Sequence, residues 1–450
     1  TIPSANIDEL PVAKFKNLNS IDLSSNQIKN FPDLNQLVPI KTDEGRTRTT
    51  LTDLNLSYNP LYLSETSDER RLNGKIIDKI PDSIQFLNLP GTFYGEIPLT
   101  YTPGSNADNS GAGSIRLFSK FINLVSLNFS RNSGAYFHSE TSNAICPEVT
   151  GSCTNYSISS NDFNFLSSAN AIGSGANAVY SWPNLQSLKT LSVSGNYYLT
   201  DNTGVLESNG LASSDIESFD ISSTGLPIPQ LRNKPNLKVV SATYNRSGVT
   251  FFQGGSYKFS GCPSLESLNF YAANITGEWP VFNNPALKTI DLRYTQISGG
   301  GGKTDALPAG YSASTYAIPP NILENCSNLT DFLFYGSNIT SQSQLGYELF
   351  ESCSSLQYFN IYCYGKLAGG IPNLSGLGNL RYAYCYWNGI TGTLPSFAGS
   401  NNIYGVQLQG NRFTGSVPPY TNLSNLRFLY IHNNQLDGTI GEFVNCNNLY

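Results

Sequence analysis

Methionine is absent from all 450 residues, and histidine occurs only as His138 and His432. Charged residues make up 13% of the chain, where about 25% is ordinary. With a net charge of −6 and no Lys/Arg cluster, nothing here suits a phosphate backbone, so nucleic acid is excluded as a partner. No apolar run reaches the roughly 18 residues of a membrane-crossing helix, and no membrane span is expected within this segment. Two histidines and no CxxC pair are too few ligands for a structural zinc site. Neither a Ser-His-Asp arrangement nor a glycine-rich phosphate loop beside a lysine is present. No cofactor or metal is expected. The chain does not open on a signal peptide. Its opening TIPSANIDELP holds the tail of a phrase such as ANITGEWP (273–280), and it stops at NCNNLY, where another phrase would start. The expectation is a window from a longer protein, uncapped at both ends.

What is abundant is uncharged: 40 Gly, 27 Tyr and 24 Phe, with Ser, Thr and Asn filling much of the rest. That is the composition of a polar surface without charge. Its order is repetitive. VQLQGNRFTG, from Val406, is echoed by LYIHNNQLDG, from Leu429. The shared phrase is apolar-x-apolar-x-x-Asn-x-apolar. Its first position, the anchor, recurs at Ile21, Leu54, Leu87, Leu127, Tyr156, Leu191, Phe219, Val240, Leu268, Ile290, Phe332, Phe359, Ala383, Val406 and Leu429. Alternation at the anchor and anchor+2 is the signature of a short strand with one buried face. The Asn at anchor+5 turns its amide inward to bond the backbone as the chain leaves the strand. A single coil cannot bury its apolar face, so the coils must stack.

This phrase resembles the leucine-rich repeat superfamily over essentially the whole chain. Tails of the form Gly-x-apolar-Pro, namely GEIP (95–98), GEWP (277–280), GGIP (369–372), GTLP (392–395) and GSVP (415–418), are similar to the plant-type subclass, whose coils add a second short strand. The resemblance implies an α/β-type solenoid dominated by short parallel strands, a curved right-handed superhelix of about fifteen coils with little helix. Residues 1–450 are expected to form one such solenoid, with loop insertions near 62–80, 100–118, 134–150, 165–182 and 299–322. Asn is replaced by Thr92, Thr224, Ala273, Thr295, Ser337 and Tyr364, so the amide ladder should be interrupted in the middle coils. The insertions set the chain apart from plant receptor kinases, and it looks similar to surface adhesins or viral fibre proteins.

Cys262, Cys326 and Cys353 each stand six residues before an anchor, and Cys446 begins the same spelling. Apolar residues fill that slot elsewhere, so these thiols, with Cys385, are expected in the core as small hydrophobes. A Cys326–Cys353 disulfide is the alternative. Cys146 and Cys153 flank PEVTGS and are a candidate disulfide in an oxidising compartment. Sequons such as Asn245 and Asn274 occur about as often as chance allows, several of them beside packed strands.

In leucine-rich solenoids the non-apolar letters of each strand face outward on the concave side. Here anchor−1, +1, +3 and +4 hold small polar residues in the first half, such as Ser20, Asp22, Ser24, Asn55, Ser57 and Ser222. The second half holds Tyr271, Arg293, Tyr294, Tyr335, Tyr358, Tyr362, Tyr382, Tyr384, Tyr386, Trp387, Tyr430 and His432. Tyrosine on a solvent-facing strand supplies contact area and a hydroxyl at low entropic cost. The bland reading is strand propensity with cross-strand ring ladders. The functional reading is a non-catalytic extracellular adhesion or recognition module, exposed on a cell or virion, binding a protein or glycan. A structural fibre component that stacks or self-associates is one alternative. A carbohydrate-active enzyme using the carboxylates of Asp291 and Asp331 is another, weighed against an ordinary solvated pair.

Overall fold

In a computed structural model, the structure describes residues 215–253, 256–301 and 315–450. Before these it describes 18–26, 28, 33–36, 51–59, 78–89, 189–192 except for side-chain detail, 194, and the backbone of several short strands. The chain divides into two compact units, Thr1–Gln230 and Leu231–Tyr450.

Within the first unit, Ser20–Asp22, Asp53–Asn55, Phe86–Asn88, Ser126–Phe129, Asn155–Ile158, Thr190–Ser192 and Ser218–Asp220 pair in parallel, in chain order. The register sets Ile21, Leu54, Leu87, Leu127, Tyr156, Leu191 and Phe219 side by side. The second unit repeats the rule, with Val240, Leu268, Ile290, Phe332, Phe359, Ala383, Val406 and Leu429 in one row. A parallel pair needs a crossover between its strands, and here each crossover is one coil. Anchors from Val240 to Val406 are wholly buried, as are the anchor+2 residues Ala242, Phe270, Leu292, Phe334, Ile361, Cys385 and Leu408. The period-2 reading therefore gives the buried face correctly.

The expected α/β character is corrected. Among the described residues of Leu231–Tyr450 there is no α-helix; each strand is followed by turns and often by a second short strand. Ile275–Trp279 pairs in parallel with the later part of Thr289–Gly301, and Tyr316–Ile318, Ser343–Leu345 and Leu367–Ala368 make a separate parallel sheet. The physical reason lies in the tails. Gly breaks helical continuity and Pro removes a donor, so the return path is built of turns and strand fragments.

Two expected insertions contain antiparallel pairs, Thr100–Tyr101 with Ile115–Arg116 and Ala171–Ile172 with Val179–Tyr180. Strand residues also stand at the edges of two others. Ala135–Phe137 pairs with Gly95–Ile97, and residues 299–301 and 316–318 are strand. Residues 62–77 and 302–314 lie outside the described residues, as do Cys146 and Cys153.

Most of the described strands end in the same backbone event, the exceptions being those of Phe332 and Phe359. Anchor+4 is left-handed at Ser25, Tyr58, Ser223, Tyr244, Ala272, Tyr294, Trp387, Gly410 and Asn433, with φ between 51° and 70°. That turn aims the next side chain inward, where anchor+5 meets the stranded carbonyls. Asn411 donates from Nδ2 to Cys385 O (2.8 Å) and Leu408 O (3.0 Å), while its Oδ1 accepts from the amides of Asn388 (3.1 Å) and Ile390 (3.2 Å). Asn388 and Asn434 repeat this, bonding Ile361 O at 2.7 Å and Leu408 O at 3.0 Å on the preceding coil. Asn59 does so in the first unit, with Leu23 O at 2.7 Å. Thr224 and Thr295 reach only their own coil, at Ile221 O (2.7 Å) and Leu292 O (2.9 Å). The ladder breaks at those positions, as their side-chain length requires. At Ser337, Lys366 Nζ from the next coil donates to the Ser337 carbonyl (2.6 Å) instead.

The cysteines form a second ladder. Cys262, Cys326, Cys353, Cys363, Cys385 and Cys446 are all buried free thiols, so Cys326 and Cys353 are not joined. The thiols of Cys262, Cys326 and Cys446 donate to Leu231 O (3.0 Å), Phe282 O (2.7 Å) and Tyr420 O (3.2 Å) on the coil before. Ser400 Oγ bonds Leu374 O (3.1 Å) from the same slot. The slot thus selects a short donor as well as an apolar group. Burial pushes the Cys326 thiol up to about 11 and Cys385 to about 12.

Replacing Asn411 by Ala is expected to cost about 3 kcal/mol or more, since each buried partner left unbonded costs roughly 1–3 kcal/mol. Thr295→Ala, which removes one bond within its own coil, should cost about 1 kcal/mol. Urea unfolding read by tryptophan fluorescence compares them, and equal costs would refute the inter-coil role of Asn411. Alkylation at pH 8 followed by peptide mapping should leave all six described cysteines unmodified in the native protein and modify them in urea. Native labelling of Cys326 would contradict its burial.

Candidate functional site

In the first unit the outward slots satisfy one another. Asp22 accepts the Ser24 amide (2.9 Å) and the Asn55 side chain (3.1 Å), and Asn55 accepts the Ser57 amide (3.1 Å) and hydroxyl (2.5 Å). The Ser24 bonds hold the Asp22 carboxyl below its ordinary value. Asp220 accepts the Ser222 amide at 2.9 Å. Ser130 and Ser159 lie outside the described residues.

This Asx turn at anchor+1 explains Asp291. Its Oδ1 accepts the Arg293 amide (3.1 Å), the bond that Asp22, Asn55 and Asp220 each make in their own coils. The Arg293 guanidinium then clamps the carboxylate with Nε at 3.0 Å and a terminal nitrogen at 2.7 Å, which raises the Arg293 pKa. Asp331 accepts the Thr330 hydroxyl (2.6 Å) as Asp53 accepts that of Thr52 (2.5 Å). In the ladder Asp291 stands opposite Leu333 and Asp331 opposite Thr289, so the two are diagonal. Both carboxylates repeat a structural device found elsewhere in the chain, and neither is a free acid–base group. Among the described residues no group of three or more His, Cys, Asp or Glu is placed to hold a metal ion.

The predicted aromatic positions gather into two rows on the strand face of Leu231–Tyr450. The first runs along the strand ends, with ring centroids 5.4 Å apart for Tyr271–Tyr294, 5.1 Å for Tyr294–Tyr335 and 5.7 Å for Tyr335–Tyr362, all edge-to-face. It closes with Tyr362 stacked on Tyr386 at 5.6 Å. Tyr244 extends it at the other end, 5.4 Å from Tyr271, over whose ring the Arg293 guanidinium sits at 5.0 Å. The second row lies nearer the strand starts. Tyr358 meets Tyr382 (6.0 Å) and Tyr384 (5.3 Å), Tyr382 meets Tyr404 (5.5 Å), Tyr404 meets Phe428 (6.0 Å), and Phe428 meets Tyr430 (5.4 Å), which meets His432 (6.2 Å). Tyr384 and Tyr386 therefore belong to different rows. Trp387 joins neither; it lies half-exposed over Gly410, where a Cβ would come within 2.2 Å of the indole. Gly405 makes the same room for the Phe428 ring, which a Cβ would approach to 2.1 Å.

Asn360 ties the rows together. Its Nδ2 donates to Tyr335 Oη (3.0 Å) and Tyr358 Oη (2.9 Å), and it is 4% exposed. Burial pushes the Tyr335 and Tyr384 hydroxyls up to about 12. Sequence reasoning placed none of Asn360, Tyr404, Tyr364, Tyr244 and Phe428 on this face. Tyr244 and Phe428 satisfy its own slot rule at anchor+4 and anchor−1. Tyr404 sits at anchor−2 and Tyr364 at anchor+5, outside the rule.

No known family profile matches this chain, and no curated protein matches it. Solved structures do. A TDR receptor crystal structure aligns with 93% of this chain and 60% of its own, at 20% identity and a TM-score of 0.56. The plant peptide hormone receptor RGFR1 in complex with RGF2 gives 94% and 64% coverage, 16% identity and 0.47. A Leptospira interrogans LRR protein gives 95% and 92%, 16% and 0.43. The chain spans about 60% of the TDR receptor's length. Identities this low establish the fold, a repeat-type parallel-strand solenoid, and the argument rests on the first alignment.

A raised tyrosine pKa means the folded state holds its proton longer than the unfolded state, so the contribution to stability is complete below about pH 10 and declines between about pH 10 and 12. Titration of tyrosinate absorbance should show Tyr335 and Tyr384 ionising after the exposed tyrosines, with stability falling over that range. A late-ionising class smaller by two tyrosines in Tyr335→Phe/Tyr384→Phe, with buried Tyr257 and Tyr420 remaining in it, checks the assignment, and an unchanged curve would refute it.

Proposed function

We propose that the chain is a non-catalytic recognition module presented outside the cell, and that the aromatic face of Leu231–Tyr450 takes an uncharged partner, in the first place a protein surface. The observation that carries this reading is the left-handed turn. Tyr244, Tyr294, Tyr364 and Trp387 adopt φ of 52°, 60°, 54° and 51° and remain 44–58% exposed. An L-residue in this conformation costs roughly 1–2 kcal/mol, and Gly or Asn avoids most of that cost. Gly410 and Asn433 hold the equivalent turns of the last two coils. Folding alone favours those small residues at every coil. Large aromatic side chains held in the less favourable conformation, with their rings in solvent, suit contact with something else.

The rows behind them support the same reading. Edge-to-face pairs contribute about 0.5–1.5 kcal/mol each, so they fix the rings and reduce the ordering cost of binding. Strand propensity explains a ring ladder, yet it does not explain rings at a left-handed turn. Tyrosine and tryptophan rings dominate protein recognition surfaces, so a protein partner is the first choice, with a glycan second. Few charges line the face, so binding should depend weakly on salt.

Replacing Tyr244, Tyr294, Tyr364 and Trp387 together by Asn is expected to leave stability within about 1 kcal/mol per site, or raise it. The same variant should lose partner capture from the secreted proteins of the source organism and any signal on a glycan array. Retained binding by the folded variant would sink the aromatic-face reading. A large loss of stability would show that the turn aromatics serve the fold.

A further inference from the structure

We infer a second binding site, sharing only Tyr404 with the aromatic rows, that takes an oligosaccharide carrying carboxylates. Just before the strands of three successive coils, a groove of about 490 Å³ is lined by Gln357, Asn379, Arg381, Asn402, Tyr404 and Asn425. Its floor is a ladder of amides at anchor−4. Asn379 Nδ2 donates to Ser354 O (3.0 Å), Asn402 to Gly378 O (2.8 Å) and Asn425 to Asn401 O (3.3 Å). Each bond uses one N–H and fixes the side chain. The second N–H and the carboxamide oxygen are left facing outward, a donor beside an acceptor, once per coil. That pair matches a sugar hydroxyl, which both gives and receives a hydrogen bond.

The spacing narrows the ligand further. Coils repeat at the strand separation of about 4.8 Å, which is close to the length of one pyranose unit with its linkage. An extended peptide advances about 3.3 Å per residue and shows the same face only every second residue. A β-1,4-linked polymer turns over at each unit, so equivalent faces recur every second unit, close to the spacing of two coils and of Arg381 from Arg427, whereas a peptide's like faces recur about every 6.6 Å and fall out of step.

Charge sets the class. Arg381 lines the groove, and Arg427, at the same slot two coils on, holds its guanidinium over the Tyr404 ring at 5.2 Å. Both are exposed, and neither makes an ion pair among the described residues. One guanidinium in the groove and one over the ring of its Tyr404, in a chain of net charge −6, suit sugar carboxylates, each of which an arginine binds bidentately.

Isothermal titration of the 450-residue protein with a β-1,4-linked mannuronic acid hexamer, the β-1,4-linked mannose hexamer and hexaglutamate tests this. The mannuronate hexamer should bind at least tenfold more tightly than either comparator, and its affinity should fall as salt is raised from 50 to 500 mM. Arg381→Gln/Arg427→Gln should weaken it at least tenfold, and Asn402→Ala should weaken it too. The four-Asn variant of the aromatic face should bind it unchanged, which separates this site from the one above. No heat with the mannuronate hexamer, equal affinity for mannohexaose, or loss of binding only in the aromatic-face variant would overturn the inference. Equal or tighter binding of hexaglutamate would overturn it in favour of an acidic peptide.

Discussion

Each coil must bring the chain out of a strand and back across the core, and the carbonyls left pointing inward at that exit need donors. The rest of the molecule follows from how that requirement is met. A left-handed residue at anchor+4 rotates the chain, and an amide at anchor+5 bonds carbonyls on two coils at once, as Asn411 does with Cys385 and Leu408. Stacking is then enforced by polar satisfaction as well as by apolar burial, because a coil separated from its neighbour loses both. Where Asn is missing, shorter or borrowed donors appear: Thr224 and Thr295 within the coil, and the Lys366 ammonium at Ser337. The thiols of Cys262, Cys326 and Cys446 do comparable work on the opposite side of the coil.

The same exit turn links fold to function. Where anchor+4 is left-handed it swings away from the core, and a large side chain there, as at Tyr244, Tyr294 and Trp387, stands in solvent beside the strand face. In the second unit that position and anchor+3 together raise a continuous row of rings, whereas in the first unit, Tyr58 apart, the described slots hold short side chains, several of them bonded to one another. Asp22, Asn55 and Asp220 have little polar capacity left for a ligand. The contrast is one of saturation. A self-bonded surface of Ser and Asx presents water with satisfied groups, while the tyrosine rows present apolar faces and hydroxyls held by Asn360.

The strand register was legible because it depends on a short-range period. Fifteen anchors fall into line in the two units, from Ile21 to Phe219 and from Val240 to Leu429. The burial of Cys262, Cys326, Cys353, Cys385 and Cys446 was legible for the same reason. The return path was legible in part: the Gly-x-apolar-Pro tails implied a second short strand and little helix, and turns with strand fragments are what form, while the α/β label carried over from the family did not hold. Asn360 escaped notice because nothing local distinguishes it from the Asx residues at anchor+1 in other coils. Its role comes from Tyr335, on the previous strand, and from Tyr358, two residues back. Tyr404 escaped because its ring reaches the face from anchor−2. Only the neighbouring rings Tyr382 and Phe428, with the room left by Gly405, bring it in.

The carboxylate pair shows how a repeat protein guards against over-reading. Taken alone, Asp291 beside a bidentate arginine on an exposed strand looks like an active-site acid held in one protonation state. Set against the other coils it is one instance of a turn that Asp22, Asn55 and Asp220 also make, with Arg293 added. A repeat supplies its own controls: a residue that does in one coil what its counterparts do in others is serving the coil. Function is better sought where a coil departs from its neighbours at a cost to itself. Tyr294 and Trp387 meet that test, each adopting φ above 50° at a turn that Gly410 and Asn433 complete more cheaply. Asp291 and Asp331 do not.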